Sequence, residues 1–267
     1  MKIPRTTSLR TPPAGAATGA VKRSAPVVSG RSTVDVGEQR MHHVTHIKNL
    51  PEILGSGIHA DQSPDWDERP SVDMSSVDNR AVRRTTPVAG DGGAVVADYV
   101  PFYLSPQAAL WEAFRSGAAD PRFSSEARAL AASEFVILVS TAKTLAVAAA
   151  AEQVRSGEDL ATLALAGEDD SVVTTDGDAA DPRTRFGATG DSSTRMLQRI
   201  VATKDSEELL RAEFLVKGSV SFDSIALIGV ANDRARDAVK AILQTSKLKP
   251  RVVVHPPWFA LAAPDAD

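Results

Sequence analysis

Two histidines three residues apart, set just ahead of a short capped helix, constrain this chain more than any other stretch. Residues 41–54 read MHHVTHIKNLPEIL. Val44 and Ile47 are the apolar members of a short extended piece in which His43 and His46 bracket Val44 and Thr45. Leu50, Ile53 and Leu54 then recur at helical spacing, and Gly55 and Gly57 stop the helix quickly. Asn49 stands where an N-cap belongs, with Pro51 in the first turn and Glu52 three residues on. The product is a strand–helix corner that presents imidazole, hydroxyl and amide groups together. Without cysteine anywhere in the chain, the corner lacks the thiolates of common zinc sites. Taken alone, these residues equally suit a capped surface corner with two solvated histidines.

The absence of cysteine also removes disulfides and thiol nucleophiles, and it suits a cytoplasmic protein. No apolar run spans a bilayer: the alanine-rich residues 145–151 are flanked by Lys143 and Glu152 and are too few. The net charge of −4 argues against a broadly basic nucleic-acid coat. The charge is uneven, however. Before Met41, Lys2, Arg5, Arg10, Lys22, Arg23, Arg31 and Arg40 face only Asp35 and Glu38. Residues 1–38, rich in Pro, Gly, Ala, Ser and Thr, read as a disordered basic leader without the apolar core of a secretory signal. Residues 39–262 show no internal repeat and are expected to form one domain.

After the corner, residues 59–73 form a long polar loop with Pro64, Trp66 and Pro70; loops of this length inside a domain are often functional. Residues 75–84 predict a short helix bearing Arg80, Arg83 and Arg84, either a solvated basic face or a set of phosphate-binding forks. The glycine-rich residues 89–93 lack the strand and helix of a dinucleotide fingerprint. Strands are predicted at 98–104, 134–140, 171–175, 211–216, 222–230 and 250–255. Helices are predicted from 105 to 115 and at 141–154, 194–201, 206–210 and 232–244, with a second long loop at 181–191. Asp176 and Asp178 fall short of a calcium-loop pattern, and residues 167–170 open an acidic region. Periodicity alone supports only a mixed α and β chain with strands clustered in its second half.

Alternation along residues 211–216 puts Ala212, Phe214 and Val216 on one face, with Arg211, Glu213 and Leu215 on the other. A carboxylate on so apolar a strand is either paired or functional, because burying it alone is costly.

Three stretches in this order, the HVTH corner with Asn49, DYVPFYLSP at 98–106 and RAEFLV at 211–216, resemble the DarT-type DNA ADP-ribosyltransferase toxins. The resemblance covers residues 41–259, ending in VVVHPPWF. It implies an α+β fold of two packed, mainly antiparallel sheets with surrounding helices and an NAD cleft. It makes Glu213 the catalytic glutamate and His43, with Thr45 and Asn49, the NAD-binding group. Among the arginines it places Arg80 first, on the catalytic and phosphate side, with Arg83 beside it. NAD is then a co-substrate and no metal is expected. The acceptor it implies is a base of single-stranded DNA, and the partner an antitoxin protein that inhibits the enzyme or removes the ADP-ribose, in a toxin–antitoxin or phage-defence setting. Such chemistry needs a fixed carboxylate beside an oxocarbenium-like ribose.

Departures from the pattern are Asp178, where relatives often carry His or Asn, and the acidic character of residues 167–191. Arg211, two residues before Glu213, suits a nucleic-acid acceptor better than an arginine acceptor. Alternative readings are ADP-ribosyl transfer to RNA or protein, and an inactive NAD- or nucleic-acid-binding module.

Overall fold

The computed structural model describes residues 35–64, 66, 69–155 and 171–260. The leader up to residue 34, the start of the acidic region at 167–170 and the tail from 261 lie outside the described residues.

Strand β1 (Arg40–His46) carries the histidines into the sheet, where His42, Thr45 and His46 are buried. These histidines are not the solvated pair of a surface corner. β1 pairs antiparallel along its whole length with β4 (Phe135–Thr141), whose continuous apolar run is buried through Ser140. Beyond β4 comes β9 (Leu227–Val230), with β10 (Arg251–Val254) parallel to it at the edge.

On the other side of β1 the pairing changes. β3 (Tyr99–Tyr103) meets β1 in register only at His42 and Tyr103. β3 then pairs fully with β7 (Glu213–Lys217), followed by β5 (Val172–Thr175) and β6 (Phe186–Gly187). The order is β10-β9-β4-β1-β3-β7-β5-β6, two four-stranded halves joined at one residue pair. A separate antiparallel pair is formed by β2 (Ile58–His59) and β8 (Ser219–Val220). Among the described residues every strand pairing but β9–β10 is antiparallel, so the fold is α+β as expected.

The helices flank these sheets: α1 (Leu50–Ser56), α2 (Val77–Thr85), α3 (Ala109–Arg115), α4 (Ser125–Arg128), α5 (Ala142–Arg155), α6 (Gly190–Val201), α7 (Glu207–Arg211) and α8 (Asp233–Leu243). Ser76, Ser124, Thr189, Ser206 and Asn232 cap α2, α4, α6, α7 and α8 through their side chains, satisfying amide groups that the helices leave orphaned. One core joins Met41, Phe102, Leu138, Leu145, Ile200 and Phe214. A second, aromatic core joins Trp111, Phe114, Phe123, Phe135 and Phe259. The chain's closing segment locks onto it: Trp111 Nε1 donates to the Trp258 carbonyl at 2.6 Å, and the Trp258 ring lies where a Cβ on Gly229 would sit.

Two boundaries differ from the sequence expectation in ways that matter. Arg211 ends α7 instead of starting a strand, because Ser206 caps that turn and Arg211 pairs with Glu207 one turn back at 2.6 Å. Glu213 therefore opens β7 and stands at the strand's mouth. Residues 222–226 are not strand either; Phe222–Ser224 forms a 3₁₀ turn and β9 begins only at Leu227.

Candidate active site

The seam between β1 and β3 is where the singled-out residues converge. His43 lies on β1 with its Nδ1 donating to the Pro101 carbonyl at 2.9 Å. That bond fixes the tautomer and leaves Nε2 as an acceptor, while burial pushes the imidazole below its ordinary range and keeps it neutral. Thr45 and Asn49 are joined, Asn49 Nδ2 donating to Thr45 Oγ1 at 3.1 Å.

Asn49 does occupy the cap position of α1, but its side chain makes no capping bond. It grips the loop instead, donating to the Val72 carbonyl at 2.8 Å and accepting from the Val72 amide at 2.9 Å. Both partners are buried, so Asn49→Ala strands two backbone groups. It is expected to cost about 1–3 kcal/mol in a urea titration and to expose residues 60–74 to limited proteolysis.

Arg80 closes the same loop from the other side, pairing with Asp61 at 2.5 Å and with Asp73. Asp61 also receives Arg84 at 2.6 Å and Arg69 at 2.9 Å. Arg80 thus clasps the two ends of the loop. Arg83, one turn along α2, faces Glu213.

Glu213 is 2% exposed. Its carboxylate accepts a two-pronged bond from Arg83, Nη1 to Oε1 at 3.2 Å and Nη2 to Oε2 at 2.9 Å. The Ala179 amide adds a third bond to Oε1 at 2.9 Å. Its own amide donates to Thr175 Oγ1 at 2.8 Å, locking the start of β7 to the end of β5. Burial works against the Arg83 charge, but the charge and hydrogen bonds of Glu213 more than offset it and hold the guanidinium firmly protonated. Tyr103 stands opposite Glu213 in the ladder; burial, then the neighbouring carboxylate, push its phenol far up, so it stays neutral.

Two spaces meet at this pair. An inner cavity of about 240 Å³ is lined by His43, Thr45, Asn49, Arg80 and Arg83. An outer cleft of about 1180 Å³ is lined by Glu213, Asp178, Arg183 and Arg211. Arg83, Tyr103 and Arg122 border both. Arg122 holds Asp120 at 2.5 Å and also Asp178, which ties the loop after β5 across the cleft. Among the described residues no cluster of three or more His, Asp or Glu is placed to hold a metal ion.

Sequence reasoning missed Tyr103, Arg122 and the Ala179 amide. Tyr103 was legible in principle, since Tyr99, Pro101 and Tyr103 alternate onto one face of β3. Arg122 sits in an irregular stretch with no periodic signal, and a backbone amide carries none at all.

His42, beside His43, donates Nδ1 to the Tyr103 carbonyl at 3.2 Å at the single β1–β3 register pair. Burial, only partly opposed by that bond, lowers its pKa from 6.5 to about 4. The unfolded chain therefore binds a proton that the folded chain refuses between these values. The His42 contribution is complete above pH 6.5 and is lost as pH falls toward 4, on the order of 3 kcal/mol. Urea midpoints at pH 7 and 4.5 are expected to show this loss, and His42→Gln to flatten it.

A family profile described as "ssDNA thymidine ADP-ribosyltransferase, DarT" matches residues 42–260. A curated "DNA ADP-ribosyl transferase" from Thermus sp. (strain 2.9) is 35% identical over 82 residues, 30% of this chain. That match spans only 37% of the relative's own length. The solved structure "Thermus sp. 2.9 DarT in complex with ADP-ribosylated ssDNA" superposes with a TM-score of 0.59 at 24% identity, covering 83% of this chain and 96% of that one. "Thermus sp. 2.9 DarT in complex with NAD+" gives 0.54 at 24% identity, covering 83% and 98%. At this identity the superpositions establish a shared fold.

Proposed function

Because this chain belongs to the DarT family of single-stranded DNA thymidine ADP-ribosyltransferases, we propose that it transfers ADP-ribose from NAD to a thymine base of single-stranded DNA. The observation that carries this reading is the Arg83–Glu213 pair at the junction of an inner cavity and an outer cleft. One space suits a donor and the other an acceptor; Arg83 borders both, and the carboxylate it holds lines the outer one.

The residues fit NAD by chemistry. A neutral His43 acceptor, the Thr45 hydroxyl that Asn49 holds in place and the Arg80 guanidinium are the donors and acceptors that ribose hydroxyls, an amide and a diphosphate require. The cavity, at about 240 Å³, lies near the lower end of the roughly 300–1,000 Å³ usual for ligand sites and is open on one side to solvent. Diphosphate oxygens can take over from Asp61 and Asp73 as Arg80's partners.

In the reaction, the bond between ribose C1′ and nicotinamide breaks, with its electron pair leaving on nicotinamide. The thymine ring nitrogen bonds to C1′ and gives up its proton to the Glu213 carboxylate. Glu213 stabilises the positive charge that develops on the ribose. Arg83 fixes the plane of that carboxylate and faces the negative charge that grows on the base as its proton leaves. Tyr103, neutral and shared by both spaces, walls the reacting centre from water. An unpaired base is required because the thymine ring nitrogen is hidden by pairing in a duplex.

We take residues 39–262 as the catalytic domain, and the family resemblance suggests a toxin restrained by an antitoxin protein and working in the cytoplasm. Among the described residues no helix is long and apolar enough to cross a membrane. The deciding experiment incubates the protein with NAD and single-stranded oligonucleotides that contain or lack thymine, read by intact mass. One ADP-ribose gained only on thymine-containing DNA supports the proposal. Nicotinamide release without a DNA adduct points to an RNA or protein acceptor, and no NAD turnover from folded protein points to an inactive binding module.

A further inference from the structure

The two half-sheets meet where the reaction needs close alignment. His43, on the donor side, belongs to β1, whereas Glu213 belongs to β7, beyond β3. His42, Tyr103 and Glu213 stand in one cross-strand row, so Glu213 lies two strand spacings, roughly 10 Å, from β1. A sheet ordinarily fixes such an alignment through a run of ladder bonds, and a slip of one residue turns every side chain to the other face. Among the described residues the ladder between β1 and β3 has one register pair.

Side chains stand in for the missing ladder. Gln39 Nε2 donates to the Leu104 carbonyl at 3.1 Å, His42 Nδ1 to the Tyr103 carbonyl at 3.2 Å and His43 Nδ1 to the Pro101 carbonyl at 2.9 Å. The two imidazoles leave opposite faces of β1, His43 lying against Phe102 and His42 against Trp258, so they grip β3 from both sides. Trp258 meets His42 edge-on, with ring centroids 5.7 Å apart and planes at 87°. The indole is itself wedged: its ring fills the space over Gly229, and His255 stacks on it at 4.6 Å. It therefore limits His42 to the rotamer that reaches the Tyr103 carbonyl.

We propose that His42, braced by Trp258, is a positioning residue for ADP-ribosyl transfer, setting the register of the two half-sheets and so the spacing between His43 and Glu213. Among the residues that line the inner cavity and the outer cleft, His42 and Trp258 do not occur. His42 acts through Tyr103, whose carbonyl it holds and whose side chain borders both spaces. The closing turn of the chain thereby reaches the reacting centre without touching either substrate.

This role rests on the transferase reading, and the test uses the full chain with NAD and a thymine oligonucleotide. His42→Phe keeps a ring against Trp258 and removes the donor. It is expected to lower kcat roughly ten- to a hundredfold, the scale of a misplacement of about 1 Å, and to leave the KM for NAD within about threefold. His42→Asn puts an amide N–H where Nδ1 stood and should restore most of the lost kcat. Trp258→Ala is expected to lower kcat as His42→Phe does, and the double variant to be little worse than either, because both act along one path. A urea midpoint is measured for each variant and kinetics are taken where it is folded. Should His42→Phe not fold, Trp258→Ala carries the test with a second readout: faster exchange of the His42 imidazole proton by NMR than in the wild type.

Wild-type kcat in folded His42→Phe overturns the role, and so does a rise in KM that matches the fall in kcat, which marks a loosened donor site. Asn at position 42 no more active than Phe overturns it too, since the bond to Tyr103 is then not what matters. Wild-type kcat and unchanged proton exchange in Trp258→Ala remove the brace. In each of these cases wild-type transfer persists, so the failure is the role's own. A folded wild-type protein without transfer overturns the transferase reading together with it.

Discussion

Glu213→Gln is expected to lower the rate of ADP-ribosyl transfer by at least about 10²–10³-fold, the usual effect of removing one preorganised electrostatic group from a reacting centre. The amide has the carboxylate's shape and its oxygen can still accept the Ala179 hydrogen bond, but its NH2 faces an Arg83 nitrogen, so the variant's urea midpoint is measured first and its kinetics are taken where it is folded. What it lacks is the full negative charge beside the ribose. That charge matters more in the transition state than in bound NAD, so the loss should fall on kcat and leave the KM for NAD within a few-fold. Single-turnover transfer to a thymine oligonucleotide, measured beside NAD binding, separates the two. A variant that keeps more than a tenth of wild-type kcat would remove Glu213 from the reacting centre and require another group to bear the charge.

The sequence made Glu213 visible for an elementary reason: a carboxylate in RAEFLV had to be paired or functional. It could not name the partner. Arg80, Arg83 and Arg84 lie within about a turn and a half of one helix, and spacing alone does not tell which of them faces β7. The choice depends on where α2 docks, which is decided by long-range pairs such as Arg80 with Asp61 and Asp73. The strands rich in β-branched and aromatic residues, β3, β4 and β7, were legible to within a residue or two because burial on both faces leaves a continuous apolar run. Short pieces were not. β6 is two residues inside what reads as loop, and its pairing with β5 owes nothing to local propensity. Asn49 shows the same limit at a single side chain. Its position before a helix signalled a cap, but a competing pair of buried bonds to Val72 claimed the amide.

Arg83→Ala should damage both the fold and the chemistry, and the two effects can be pulled apart. The substitution leaves the Glu213 carboxylate buried without its counter-charge, with one amide bond remaining to its side chain. Breaking a buried pair from one side costs about 3–5 kcal/mol, a large share of a domain's stability. Replacing both partners by apolar residues of similar volume removes the uncompensated charge. Arg83→Met combined with Glu213→Leu is therefore expected to unfold in urea near the wild-type midpoint while transferring no ADP-ribose. Arg83→Lys keeps the charge but loses the two-pronged geometry, so it should retain most of the stability and only a small fraction of the activity. A double variant as unstable as Arg83→Ala would mean that the guanidinium supports the fold through contacts other than Glu213. An Arg83→Lys enzyme with undiminished transfer would mean that charge alone suffices at this position, and that the planar fork of Arg83 does not orient the catalytic carboxylate.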